Sequence, residues 1–404
     1  GRIAARLEEF RGRGAGTDAE RRAAAWLAGE LTHSGRQVSI ETFWCRPNWA
    51  LAHAWHAALA LAGSLVSVSS PRVGGGLILA ALVFVLADAV TGQSAGRWLT
   101  RQHASQNVVA LPQSRADTNH RQLRLILTAN YDAGRAGLAY HDWLRRRFGR
   151  ARQLSGGLFP GWLGWFMIAM AWLEAIAIVR AGGHTGKVIS TIQLPPTIGV
   201  VLGLALLLEQ ATSGWSPAAG DNGSGVGVTV ALARALGTSA YRHLDVEVVL
   251  TGAGDGSGVG LRKYLASHRR ERTRANTVVL GVAPCAGGTT KWWRSDGQLV
   301  PLRYGKRLRQ LAAGVAAGNP YLSATPYDGR GSAPAFPARL ARIPALAIGC
   351  LDRDGLAPRS HQRGDTATAL DDSAADAAVQ FGLVLIDAID AQLGEAATPL
   401  ATPA

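Results

Sequence analysis

The stretch SPAAGDNGSGVGVTVALARAL, Ser216–Leu236, sets a lone carboxylate, Asp221, on a turn of small residues that runs straight into an apolar helix. Asp, Asn and Ser accept hydrogen bonds from the free N–H groups of a helix start, so Asp221 reads first as an N-cap. The same position suits a metal ligand. The stretch leaves both readings open, and the rest of the chain has to separate them.

The chain has 404 residues and a formal net charge of +14. That length buries a full core, with room for one large domain or two smaller ones. The excess arginine is spread along the whole chain, and no RNA-recognition, zinc-finger or helix-turn-helix pattern accompanies it, so no nucleic-acid partner is expected. The one dense basic cluster, WLRRRFGRAR at Trp143–Arg152, borders an apolar run and points to a membrane surface. Cys45, Cys285 and Cys350 have neither zinc-finger nor redox spacing and are expected to be buried free thiols. No secretory leader is visible in the sequence, which begins at Gly1.

Four segments are apolar over about the length a helix needs to cross a ~30 Å hydrocarbon core. They are Trp49–Val66, Val73–Val90, Leu158–Val179 and Ile192–Leu208, rich in Gly, Ala and Trp and paired as two hairpins. His53, His56, Asp88 and Glu174 inside them are expected to face the bundle rather than lipid. Arg46, Arg97, Arg101 and the Arg145–Arg152 cluster flank the ends that join the remainder, whereas the hairpin tips carry only Arg72, Arg180 and Lys187. The positive-inside tendency then places the non-membrane domain in the cytoplasm. The expected organisation is a domain portion at 1–48, a transmembrane hairpin at 49–91 and further domain at 104–140. A basic juxtamembrane segment follows at 141–157, a second hairpin at 158–209, the rest of the domain at 210–395 and a disordered tail at 396–404.

Without the hairpins an α/β pattern remains. Strands are predicted at Gln37–Thr42, Gln106–Leu111, Leu123–Asp132, Leu244–Gly252, Asn276–Pro284 and Ile343–Leu351. Helices are predicted at Thr17–Leu31, Gly225–Leu236, Gly258–Arg270 and Asp372–Leu393. Alternation of this kind predicts a mostly parallel sheet with helices on both faces, interrupted by the two hairpins. Functional groups gather at the carboxyl ends of such strands. Asn130, Asp132, Asp255 and His361 all stand there.

In this order the strand ends resemble the zinc aminopeptidases of peptidase family M28. GTDAERRAAAWLAGELTHSGRQVSIETF is similar to the family's first helix and strand, and LILTANYDAG to its His-x-Asp strand end. AAGDNGSGVG resembles the Asp-Asn-x-Ser-Gly turn, and VVLTGAGDGSGVGLRKYL the strand bearing a Glu-Glu pair. VVLGVAPCAGG resembles the strand ending in a metal-binding Asp, and SHQRGDT the closing His-Thr-x-x-Asp-Thr motif. The resemblance implies a zinc-exopeptidase fold, two zinc ions with Asp221 in the bridging position, and a Glu that takes a proton from metal-bound water.

Residue by residue the pattern is incomplete. Asp221 and His361 keep their positions, and Asp255 replaces the second Glu of the pair. Gly254 stands where the general base belongs, Asn130 replaces a ligand His, and Ala283 replaces the metal-binding Asp. Cys285, two residues on, is a weak substitute candidate. Asp132 and Asp365 keep supporting positions behind the ligands. The resemblance therefore implies no zinc or one ion and argues against a two-zinc site. The expected function is that of a membrane-anchored, catalytically degenerate pseudopeptidase serving as a binding or scaffold module. The alternative is an active zinc-dependent aminopeptidase or hydrolase with a single metal. The second hairpin interrupts the chain between Asp132 and Asp221, at the edge of the old active site, which suggests a peptide, lipid or protein ligand arriving by way of the membrane. The oligomeric state is left open. The segment Pro326–Phe336 reads as a surface loop, Lys291–Gly297 as either a Trp-bearing surface or core, and His103, His141 and His184 as solvated loop residues.

Overall fold

The computed structural model describes residues 1–112, 123–238 and 243–394; the tail at 396–404, read above as disordered, lies outside them. One sheet of nine described strands organises the molecule: β1 (Val38–Cys45), β2 (His103–Ala110), β3 (Leu123–Asn130), β4 (Leu244–Thr251), β5 (Thr277–Val282), β6 (Thr289–Asp296), β7 (Leu302–Arg303), β8 (Thr325–Asp328) and β9 (Ala345–Leu351). Its order is β1-β2-β4-β3-β5-β9-β6-β7, with β8 beside β6. The middle four, β4-β3-β5-β9, run parallel. They are continuous runs of Val, Leu, Ile and Ala and are buried along almost their whole length, as strands covered on both faces must be.

The expectation of a mostly parallel sheet is corrected here: the sheet is mixed. β1 and β2 pair antiparallel with each other, β2 with β4, and β6 with β9 and β7. The chain between β1 and β2 leaves as one helix and returns as another, so its ends come back side by side and the two strands meet head to tail. β6, with sequence TTKWWRSD, lacks the aliphatic run that marks the middle strands. Its Trp292 and Trp293 are core residues, 5% exposed each, which decides the Lys291–Gly297 alternative.

The helices are α1 (Arg2–Glu9), α2 (Asp18–Thr32), α3 (Trp49–Val66), α4 (Pro71–Thr91), α5 (Ala95–Trp98), α6 (Asp142–Leu154), α7 (Trp162–Ala181), α8 (Lys187–Thr212), α9 (Gly225–Thr238), α10 (Val259–Ser267), α11 (Lys306–Gly318), α12 (Phe336–Leu340) and α13 (Asp372–Ile389). α9 and α10 carry the β3-to-β4 and β4-to-β5 crossovers in opposite directions along the sheet. Right-handed connections then put them on opposite faces. α13 and α1 pack against α9, and α12 packs against α10. The basic cluster forms the helix α6, anchored by Arg145 to the Ala357 carbonyl at 2.7 Å and by Arg152 to the Tyr327 hydroxyl at 2.8 Å.

α3, α4, α7 and α8 are long and apolar enough to cross a membrane by length and composition. They form an up-down bundle in which α3 packs on α4 and α8, and α7 on α4 and α8. All four join the sheet domain at the same end; the turns at 67–70 and 182–186 form the far end. α8 starts five residues before its apolar run and carries Pro195 and Pro196 within the helix. Outward-facing Val83, Trp172, Ile178 and Leu202 are exposed. The buried polar residues turn inward, chiefly in two groups; Glu174, expected to face the bundle, is only half-buried. At the sheet end Asp88 accepts from Arg97 Nε (2.9 Å), Arg97 Nη2 (3.0 Å) and Ser94 Oγ (2.8 Å), with His53 and His56 beside it. At the far end Arg180 donates to Gln193 and Ser190, and Gln193 to Ser64 and Ser67.

Candidate functional site

Three strand ends and the turn before α9 meet at one place. Asp221 does not cap α9. Its carboxylate accepts from the Ser360 hydroxyl and lies 3.6 Å from His361 Nε2. Asp255 approaches the same nitrogen at 3.4 Å. His361 is fixed from behind: its Nδ1 bonds the Arg135 carbonyl at 3.0 Å and its ring stacks on Tyr140 at 4.2 Å. The three side chains are 12–23% exposed, so the cluster opens to one side only.

Two further carboxylates hold the turns. Asp365 accepts from the N–H groups of Gly220 (2.8 Å) and Asp221 (2.9 Å). Asp132 accepts from those of Gly254 (2.8 Å) and Asp255 (3.1 Å). Below them Arg13 is buried and donates to the carbonyls of Leu7, Tyr131, Pro217 and Ala218, tying α1, β3 and the Asp221 turn together. Ala218, Ala253 and His361 carry left-handed φ values of 55°, 47° and 57°. Such costly conformations collect at functional sites and persist only where the surroundings enforce them.

Burial, then the charge of Asp255, pushes Asp132 up to about 7, against the pull of its N–H partners. Burial likewise pushes Asp365 up to about 6. Burial alone would lower His361, but the carboxylates of Asp255 and Asp221 and the bond to the Arg135 carbonyl outweigh it and raise it. Glu20 on α2, buried and bonded to Ser105 and the N–H groups of Gly16 and Ala253, is pushed up to about 8 by burial and then by Asp132. An acid whose pKa is higher folded than unfolded binds more protons in the native state, so stability falls as pH rises between the two values. For Glu20 that window runs from the ordinary 4.5 to about 8. The thermal unfolding midpoint in detergent is therefore expected to be higher at pH 5 than at pH 8.5, with Glu20→Gln flattening part of the slope. A midpoint that rises with pH would contradict this.

Other positions fall outside the cluster. Asn130 turns its Oδ1 to the Thr251 hydroxyl at 2.8 Å. Ala283 offers no donor. Cys285 is buried, its N–H bonded to Ser224 and its Sγ against the Ala283 carbonyl at 3.3 Å. Burial and the neighbouring Cys350 push its thiol up, the bond to Cys350 being the larger cause. Cys45, Cys285 and Cys350 are all free and buried. His103, His141 and His184 are exposed. The segment Pro326–Phe336 is not a plain surface loop: Asp296 accepts from the N–H groups of Gly331 and Ala333, and Gly331, Ser332 and Phe336 line a cavity.

Gly254 is more than an absence. A Cβ built there would come within 2.2 Å of Asn130 Cγ and 2.5 Å of Asn130 Cβ. The space a side chain at 254 would need is filled by Asn130.

A two-ion centre does not fit these residues, because Asn130 faces Thr251 and Ala283 has no donor atom. For one ion the donors fit in type. Two ligands of a tetrahedral zinc, bound at about 2.0–2.2 Å, stand about 3.4 Å apart. The 3.4 and 3.6 Å separations at His361 Nε2 match that edge and are long for hydrogen bonds. Against this, no group of three or more His, Cys, Asp or Glu among the described residues forms a clear metal site.

Trp49 and Tyr140 belong to the site and have no mark in the sequence. Trp49 opens α3 and donates its indole N–H to Asp255 Oδ2 at 3.0 Å. Ser360 was within reach of sequence reasoning, being next to His361.

Comparison with known proteins bears on the fold. Residues 211–385 match the sequence model of peptidase family M28. By structure the chain is similar to BSAP, a zinc aminopeptidase from Bacillus subtilis, at 12% identity over 95% of this chain and 93% of that one, with a TM-score of 0.54. It is similar to a Porphyromonas gingivalis glutaminyl cyclase at 14% identity, 96% of both chains and a TM-score of 0.53. It also resembles a leucine aminopeptidase precursor from Bacteroides thetaiotaomicron, at 13% identity over 95% and 94% with a TM-score of 0.51. No curated protein matches the chain by sequence. The fold is thus that of the zinc aminopeptidases, and the segment that carries Asp221, Asp255 and His361 is recognised as peptidase family M28.

Proposed function

We propose that this protein is a membrane-anchored, M28-type pseudopeptidase that uses the old active-site pocket to bind rather than to hydrolyse. The observation that carries the reading is Gly254 with Asn130 in the space of its missing side chain. Loss of a general base costs about 10²–10⁴-fold, and among the described residues no other acid takes the place: Asp132 is engaged with two N–H groups and Asp255 with Trp49. The fold alone does not fix a reaction, since its neighbours include both aminopeptidases and a glutaminyl cyclase. Membrane anchoring is supported by the apolar outer face of the four-helix bundle with its polar groups turned inward. The arginines at the sheet end of the bundle favour a cytoplasmic sheet domain.

A second reading, a single-metal hydrolase, is favoured by the two separations at His361 Nε2. In it Asp221, Asp255 and His361 would hold one zinc, which polarises a carbonyl and acidifies bound water. Asp132 and Asp365 would keep the ligand turns in place, and Trp49 would occupy the second oxygen of Asp255.

Zinc content of the detergent-purified chain after dialysis against a mild chelator separates the two. Well under one ion per chain is expected, with no turnover of aminoacyl or N-terminal glutaminyl substrates. One retained ion that disappears in Asp221→Ala and His361→Ala, together with turnover lost in the same variants, would replace the first reading by the second.

A further inference from the structure

The stretch LRKYLASHRRERTR, Leu261–Arg274, holds six Lys or Arg and one acid, Glu271. α10 takes up the stretch as far as Ser267 and packs against α12. Where the two helices meet the end of α4 there is a pocket of about 480 Å³, and none of the residues of the carboxylate–histidine cluster lines it. On the side of α10 and the 269–274 segment its lining is basic, with Arg262, Arg269, Arg272 and Arg274. On the side of α12 it is apolar, with Pro337, Leu340 and Ile343, and Val90 and Thr91 border it toward the bundle.

The four arginines are not equivalent. Arg272 is buried and committed to Glu247, at 3.2 Å to each oxygen, and to the Tyr264 hydroxyl at 3.1 Å. Arg262 is committed to the bundle. Gly92, in the left-handed region at a φ of +71°, ends α4. Arg262 donates to carbonyls that this helix end leaves open, Val90 at 2.6 Å and Ala89 at 3.3 Å. That contact fixes the pocket at the level where α4 joins the sheet domain. Arg269 and Arg274 differ from both. They are exposed, and among the described residues neither guanidinium has a hydrogen-bond or ion-pair partner. Two uncompensated positive charges on one concave surface attract an anion.

The bundle supplies the rest of the ligand's shape. Leu79, Val83, Leu86 and Val90 stand on one face of α4 and are 45–54% exposed. At 1.5 Å per residue they run about 16 Å from the pocket into the bundle's length, half of a ~30 Å hydrocarbon core. We propose that this pocket binds an anionic phospholipid of the leaflet on the sheet-domain side, with its phosphate on Arg269 and Arg274 and an acyl chain along Leu79, Val83, Leu86 and Val90. At about 30 Å³ per water-sized group the pocket holds roughly sixteen such groups, room for a phosphate and its glycerol, while the chain lies outside on α4. Arginine suits the head because its planar guanidinium can give two parallel bonds to phosphate oxygens. The inference rests on the membrane-anchored reading above and does not depend on whether the old active site hydrolyses.

The test is native mass spectrometry of the full chain released from detergent micelles, with phosphatidylglycerol and phosphatidylcholine of the same acyl chains as probes. Phosphatidylglycerol is expected to be retained about thirtyfold more tightly, the contribution of two arginines near a membrane surface. Arg269→Gln with Arg274→Gln changes exposed side chains, so the fold is kept, and it is expected to bring the two lipids level. Arg146→Gln with Arg150→Gln removes the same charge from exposed positions on α6 and is expected to leave the preference unchanged. Soluble glycerol phosphate at the lipid's concentration is expected not to displace the lipid, because it lacks the chain. Equal retention of the two lipids by the parent, a preference that survives Arg269→Gln with Arg274→Gln, a preference lost equally in the α6 pair, or displacement by glycerol phosphate overturns the proposal. Recovery of the chain in the aqueous fraction without detergent would sink the membrane reading and this proposal with it, whereas equal retention leaves that reading standing.

Discussion

Asp88→Ala is expected to be among the most damaging single substitutions in this chain. Asp88 and Arg97 are 2% and 3% exposed and share two bonds. Arg97 also donates to the Arg46 carbonyl at 2.7 Å and to the Ser257 hydroxyl, so one guanidinium joins α4, the β1 exit and the loop two residues past Asp255. Removing one partner of a buried ion pair leaves the other charge uncompensated and costs about 3–5 kcal/mol. An apolar replacement of both, Asp88→Leu with Arg97→Met, restores packing without an orphan charge and should recover much of the loss. Thermal unfolding of the three proteins in the same detergent checks this as a double-mutant cycle. A single variant as stable as the parent, or a double variant worse than the sum of the singles, would show that the pair is not closed off from water as the structure has it.

Gly254→Glu should fail to restore hydrolysis and should destabilise as well. The new Cβ meets Asn130 at 2.2–2.5 Å. Asn130 cannot step aside without releasing the Thr251 hydroxyl, and its Cβ is fixed by the end of β3. Overpacking of this kind costs about 1–3 kcal/mol. Asn130→Gly with Gly254→Glu removes the contacting Cβ, Cγ and Oδ1 together, so the double variant should unfold closer to the parent than Gly254→Glu does. On the pseudopeptidase reading it should still be inactive, because Ala283 offers no donor atom for a second metal. Measurable peptide hydrolysis by either variant would mean that a single missing carboxylate had been the whole defect.

The parallel centre of the sheet was legible because β3, β4, β5 and β9 are aliphatic runs, and that composition is forced by burial on both faces. The antiparallel edges were not. β6 carries Lys291, Arg294 and two Trp within eight residues, a pattern that names no partner, and whether neighbours run parallel depends on how the intervening chain returns. α6 was read as a charge cluster although three of its arginines have polar partners on the 327 and 352–357 segments. At the site the convergence of Asp221, Asp255 and His361 followed from motif order. Trp49 did not, because its role comes from where a helix docks. Nor did the filling of the Gly254 space by Asn130: each substitution is visible alone, but their contact is a property of adjacent strand ends.

The placement of the second hairpin also bears on how the site closes as the chain folds. Asp132 lies before α7 and Asp221 after α8, so the two must be joined across a long excursion of chain. For a flexible loop the entropic cost of such a closure grows with its length. α7 and α8 pack antiparallel, and the excursion leaves and re-enters the sheet domain at neighbouring points, where Arg135 pairs with Trp215 in an isolated bridge. Once the hairpin has formed, the effective loop shrinks to the flanks at 133–161, which include α6, and 213–220. The excursion thus brings Asp221 back beside the end of β3 at a smaller entropic cost than an unstructured loop of the same length.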